Sequence, residues 1–193
     1  MLDLRRAPRR IDTARTVLDV PCVAHAEAFA AGVLASMPAL LYVDWHPERE
    51  GWAQRFCDAD ARCFDEGSDL AWHVFAREDG GWVGRIDVHT IDTEACRGEI
   101  GYVGHAARSG QGLMREAVMA VLRACWALGF QRIEAMSDAR NTRALRFAEQ
   151  AGLQREGLLR RHERDPQGQW CDVVILSALN PLAADGQAEG LAR

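Results

Sequence analysis

Lysine is absent from the 193 residues, so all 23 basic side chains are arginines. A P-loop, which needs a Lys-Ser/Thr pair after its last glycine, is therefore excluded. No C-x-x-C pair occurs among Cys22, Cys57, Cys63, Cys96, Cys125 and Cys171. Neither their spacing nor the scattered histidines suggests a metal site, and Cys125 and Cys171 sit inside apolar segments. The six read as reduced, mostly buried thiols of a cytoplasmic protein. No apolar run approaches the roughly 20 residues that span a bilayer. Arg5, Arg6, Arg9 and Arg10 lie near the start, but no apolar signal core follows them, and the segment reads as a solvated arm.

A composition that is 48% hydrophobic supports a real core, and the length fits one domain, expected over residues 1–182. The Ala/Gly-rich stretch 183–193 reads as a disordered tail. The net charge of −5 hides an asymmetry. Arg97 to Arg146 holds eight arginines against Glu99, Glu116, Glu134 and Asp138, whereas Asp44 to Asp79 holds ten acids against four arginines. A basic half suits a polyanionic ligand and an acidic half would attract a cationic amine, although ordinary solvated faces give the same count.

The chain is organised around residues 99–117, where the apolar strand Glu99 to Val103 runs into a glycine-bearing loop and then a long apolar helix. Gly110 and Gly112 allow the loop N–H groups to turn inward together, and the helix opening at Leu113 adds its own unpaired N–H groups and positive dipole end. Such a site suits phosphate. The dinucleotide fingerprint G-x-G-x-x-G fails, because Arg115 stands at its third glycine. A pyrophosphate held mainly by backbone remains.

Around this centre the pattern predicts a β-prone run at Thr13 to Leu18 and helices at about Val23 to Ser36 and from Glu48 or Arg49 to Phe64. Leu70 to Arg77 and Trp82 to Ile91 form a hairpin, and the strand from Glu99 follows. The helix from Leu113 ends at Gly129, and the strand Arg132 to Ser137 pairs parallel to the preceding one by a right-handed crossover. A helix over Asn141 to Ala151 and a hairpin of Leu153 to His162 with Trp170 to Leu179 complete the set. The six tryptophans read as packing residues, with Trp45 also able to form an aromatic wall.

The ordered blocks Glu99-Ile100-Gly101-Tyr102, Gly110-Gln111-Gly112, Leu128-Gly129-Phe130, Arg132-Ile133-Glu134, Asn141 through Gly152-Leu153, and Glu156-Gly157-Leu158-Leu159-Arg160 resemble the GNAT superfamily of N-acetyltransferases, most closely its RimJ/RimL type. The resemblance implies an α+β fold, with a mixed, mostly antiparallel central sheet of about seven strands that splays after the fourth and about four flanking helices. It also implies acetyl-CoA as the donor and direct attack by a primary amine, from a protein N-terminus or a small molecule, in a ternary complex. The pyrophosphate falls to the loop Arg108, Ser109, Gly110, Gln111, Gly112, Leu113 and Met114, with Arg108, Arg115 or Arg143 near phosphates. Backbone at Tyr102, Val103 and Gly104 would pair with pantetheine, as would Asn141, which equally suits a helix N-cap. No metal, membrane or nucleic-acid contact is implied, and a homodimer is one option.

For the proton taken from the amine, the resemblance points first to Glu163 and second to Glu99, with His89 and His105 as imidazole alternatives. An exposed, arginine-paired charge is the other reading of Glu163, and a local hydrogen-bonding role the other reading of each histidine. Two departures matter. Ala144 stands where the RimL type has a serine and Ala148 where many relatives have a tyrosine, so both usual donors to the leaving thiolate are missing. A catalytically silent acyl-CoA sensor is the alternative function that this loss suggests.

Overall fold

The computed structural model describes residues 2–40, 47 and 49–183. Trp45, Glu48 and nearly all of the expected tail lie outside them. Eight strands form one sheet, β1 (Arg10–Asp12), β2 (Thr16–Asp19), β3 (Leu70–Ala76), β4 (Trp82–Asp92), β5 (Arg97–Gly104), β6 (Arg132–Asp138), β7 (Gln154–Arg164) and β8 (Trp170–Leu179). Their spatial order is β1-β2-β3-β4-β5-β6-β8-β7. Four α-helices flank it: α1 (Ala26–Ser36), α2 (Trp52–Glu66), α3 (Leu113–Leu128) and α4 (Thr142–Gln150). The strand beyond the expected seven is β1, which turns at Thr13 and pairs antiparallel with β2. In that turn Thr13 Oγ1 accepts from Thr16 N–H at 2.8 Å, a side chain standing in for a backbone partner.

Strand β3 is apolar along its length because it is covered on both faces. Its alternation sorts the side chains: Trp72 and Val74 join the core beneath α3, while His73 and Phe75 face the cluster under α1 and α2. Helix α1 approaches closely through Gly32, where a Cβ would lie 2.2 Å from the Trp82 ring. Only the pair β5–β6 is parallel, and its register covers just Arg97 to Glu99 against Arg132 to Glu134. Beyond those residues β5 stays with β4 and β6 with β8, and the sheet opens. Arg132 ties the closed end together, with Nε donating to Glu134 at 2.6 Å and Nη1 to Glu156 at 2.8 Å and Ser177 Oγ at 3.1 Å.

His73 is fully buried, and neither ring nitrogen has a partner among the described residues. Burial, with smaller effects from His25 and Arg85, pushes its pKa down to about 3. The unfolded chain therefore binds a proton near pH 6.5 that the folded chain refuses. Stability is full above pH 6.5 and falls as pH drops toward 3. Chemical denaturation should show about 2 kcal/mol less stability at pH 5 than at pH 7 from this group, and His73→Phe should flatten that slope. At the start of α4, Asn141 Oδ1 accepts from Ala144 N–H at 3.1 Å. Asn141→Ala should cost about 1 kcal/mol and lower Tm by about 3 °C, whereas Asn141→Asp should keep the cap.

Candidate active site

The opening between β5 and β6 is the floor of a cleft whose two halves meet at Tyr102, Val103, Asn141 and Ala144. Every second residue of Ile100 to Gly104 turns its N–H and C=O toward the gap, since β4 takes only the others.

One half, a cavity of about 580 Å³, is walled by the glycine loop and the first turns of α3 and α4. Gly110 (φ 80°) and Gly112 (φ 76°) are left-handed, the latter at the N-cap of α3. The loop is pinned from three sides. Ser36 Oγ at the end of α1 accepts from Ala106 N–H at 2.9 Å. Arg15, in the β1–β2 turn, donates to the Gln111 carbonyl at 3.0 Å and to Glu116 at 2.7 Å. Arg143 donates to Ser109 Oγ at 2.7 Å. With the loop so held, the N–H groups of Gly110 through Arg115 find no acceptor among the described residues. Arg108, Arg115, Arg143 and Arg146 line this half, and no acidic side chain does.

The other half, about 660 Å³, is lined by Asp87, Glu99, Asp138, Glu163 and Asp165 against Arg85 and Arg164. Most of these charges are matched. The buried Arg85 grips Asp60 with two bonds of 2.7 and 2.8 Å and reaches Asp87 at 2.5 Å. Arg140 holds Asp138 and Asp165, and the Arg164 guanidinium lies 4.0 Å over the Trp170 ring. Glu99 and Glu163 have no ion pair among the described residues. Glu99 is half-buried, and burial, offset by His89 and reinforced by Glu134, Glu163 and Asp87, raises its pKa above the ordinary carboxylate range.

Glu163 owes its place to a bulge. Leu159 pairs with Val173 and Glu163 with Cys171, so Arg160, Arg161 and His162 together oppose Asp172 alone. Arg161 takes φ 51°, and its N–H donates to Asp172 Oδ1 at 2.8 Å. The extra residues turn the strand end toward the cleft.

The structure thus brings together Glu163 and Glu99 in one half and Ser109, Gly110, Gly112, Leu113, Met114, Arg108 and Arg143 in the other, with Tyr102, Val103 and Asn141 in both and Gly104 in the loop half. Gln111 is exposed and is not part of the wall. His105 caps its own loop, Nδ1 accepting from Ala107 N–H at 3.2 Å, while His89 faces the acidic half opposite Glu99. Among the described residues the acid-rich Asp44–Asp79 stretch supplies no carboxylate to the acidic wall: Asp60 meets the site only through Arg85, and Asp79 pairs with Arg108 on the basic side. Trp170 is exposed rather than packed. Arg85, invisible as a site residue in the sequence, is identified by its burial alone. Arg146 had a signal, lying three residues after Arg143 on the same helix face.

The sequence model of the acetyltransferase (GNAT) domain family matches residues 15–154. "Probable N-acetyltransferase YjcK" of Bacillus subtilis (strain 168) is 31% identical over 134 residues, covering 68% of this chain and 73% of that protein. Two solved structures share the fold at 18% identity. The Microcin C7 self-immunity acetyltransferase MccE, in complex with acetyl-CoA and AMP, superposes with TM-score 0.82 over 92% of this chain and 99% of its own. RimL, the ribosomal L7/L12 α-N-protein acetyltransferase, in complex with coenzyme A, does so with TM-score 0.79 over 90% and 97%. A mixed sheet opened at its one parallel pair, a glycine loop leading into a helix and a family match over most of the chain agree: the chain belongs to the GNAT family of acetyltransferases and is an acyltransferase.

Proposed function

We propose that the protein moves an acetyl group from acetyl-CoA to a primary amine, of a small molecule or a protein N-terminus, by direct attack in a ternary complex. The observation that carries the donor assignment is the run of unpaired N–H groups from Gly110 to Arg115 facing an acid-free wall of four arginines. Backbone donors at a helix start, with guanidinium groups around them, match a pyrophosphate and a further phosphate. The opened edge of β5 offers pantetheine the pairing that β6 gives up, and Asn141 stands beside it.

The acidic half fits the acceptor. Glu99 and Glu163, unneutralised, draw in an ammonium group, which must lose a proton before its nitrogen can attack. Burial supports Glu99 ahead of Glu163 as the proton acceptor, since a raised pKa brings a carboxylate nearer to neutrality. Glu163, exposed at the mouth, then holds the incoming charge.

CoA and acetyl-CoA should each raise Tm, and Gly112→Val, strained at φ 76°, should abolish that shift. Thiol release over a panel of amines and N-terminal peptides tests the transfer itself. Stabilisation by CoA with no release from any amine would favour the silent sensor. In an active pair, kcat/KM should fall as pH drops through the raised pKa of Glu99, at a pH above that of an ordinary glutamate. Glu99→Gln should lower kcat/KM by about 10²-fold and remove that acidic limb, while Glu163→Gln should raise KM for the amine and keep the limb.

A further inference from the structure

Breaking the thioester leaves a negative charge that the missing α4 hydroxyls do not meet. As the amine nitrogen forms its bond to the acyl carbon, the C–S bond breaks and its electron pair stays on sulfur. The amine proton goes to the carboxylate. A sulfur anion in a narrow cleft needs a donor aimed at it, and toward the acidic half helix α4 presents only Ala144 and Ala148.

We propose that Tyr102 supplies this donor, its phenol O–H hydrogen-bonding the departing thiolate where the two halves of the cleft join. The proposal rests on the acetyl-transfer reading. Tyr102 and Asn141 are the polar side chains that line both halves; the Asn141 amide is turned by its Oδ1 bond to the α4 cap, and a phenol O–H is the more acidic and stronger donor of the two. The Tyr102 hydroxyl lies beside α4 at the alanine position itself, 3.4 Å from the Ala144 carbonyl oxygen. That separation is long for an O–H···O bond, so the hydroxyl gives it up at little cost. The ring does not share this freedom. It packs against Phe147 with centroids 4.8 Å apart and against the main core, which fixes where the oxygen can reach.

Other hydroxyls are placed worse. Ser137 lines only the acidic half, and Thr142 and Ser109 line only the basic half. Burial pushes the Tyr102 phenol up to about 12. An ordinary thiol ionises at about 8.5, so the phenol keeps its proton and acts as a hydrogen-bond donor. The thiolate takes its own proton from solvent as CoA leaves.

The test compares wild type with Tyr102→Phe, which keeps the ring and its contact with Phe147. The first readout is the ultraviolet absorbance of the thiolate of bound CoA, titrated with pH. In the wild type the bound thiol should ionise at a pH lower by about one than in Tyr102→Phe, with CoA affinity below the thiol pKa unchanged. The second is kcat, which should fall by about 10²-fold while KM for acetyl-CoA holds. A thiol titration identical in the two proteins, or kcat within about twofold of wild type, overturns the proposal. Incorporation of 3,5-difluorotyrosine at position 102, a stronger donor of the same shape, should move the bound thiol to still lower pH, and no movement overturns it equally. Wild-type protein that binds CoA yet acetylates no amine removes the functional reading, and the thiol titration still decides whether Tyr102 meets the sulfur. Wild type that binds no CoA overturns both.

Discussion

The parallel contact between β5 and β6 lasts three residues and then ends, and the rest of the molecule answers to that termination. A sheet opened at its centre exposes two rows of backbone donors and acceptors that must be satisfied elsewhere or offered to something else. Strand β6 is paired with β8 along its whole length, from Arg132 opposite Leu179 to Asp138 opposite Val173. Strand β5 is anchored outward by β4, whose register holds through Gly84 opposite Gly104. Each lip is thus held from its far side, and at the end where they still touch Arg97 of β5 lies 3.8 Å from Glu134 of β6. The gap is a property of the strand pairing.

Electrostatics divide the cleft along the same line. Donors come from one side, where α3 and α4 both begin: guanidinium groups and N–H groups unpaired among the described residues, with no acidic side chain lining the cavity. Acceptors come from the other, and most are already neutralised within the wall, Asp87 by Arg85 and Asp138 and Asp165 by Arg140. The two without an ion pair among the described residues, Glu99 and Glu163, converge from a central strand and from a hairpin end far apart in sequence. Burial, reinforced by repulsion from Glu134, Glu163 and Asp87, makes Glu99 reluctant to ionise.

The parts of this arrangement that are local in sequence were legible there. The glycines at 110 and 112, the strand before them and the apolar helix after them obey short-range rules of turn geometry and periodicity. So do the Asn141 cap, seen in its bond to Ala144, and the hairpins around Gly80 and Gly168, both of which take positive φ. What was hidden depends on pairing register. Glu163, named by the family resemblance, enters the cleft because three residues bulge against Asp172, a register that strand periodicity does not reveal. Arg85 sits in an alternating strand like any charged residue on an open face, yet it is buried because Asp60, 25 residues earlier, meets it with both carboxylate oxygens. The acid-rich segment from Asp44 to Asp79 misled for the same reason, since charge density along a chain carries no information about which side chains converge. Family resemblance supplied the splay, which neither composition nor periodicity encodes.

The guanidinium wall around the glycine loop has a chemical consequence apart from charge. A lysine ammonium held among other cations loses its proton readily and becomes a nucleophile. Beside an activated thioester, such a side chain would be the first amine the acyl group met, and the protein would consume its donor by modifying its own wall. Arginine stays protonated and binds phosphate through paired donors without offering a lone pair. With Arg108, Arg115, Arg143 and Arg146 in these places, the cation wall around the glycine loop carries no nucleophilic amine.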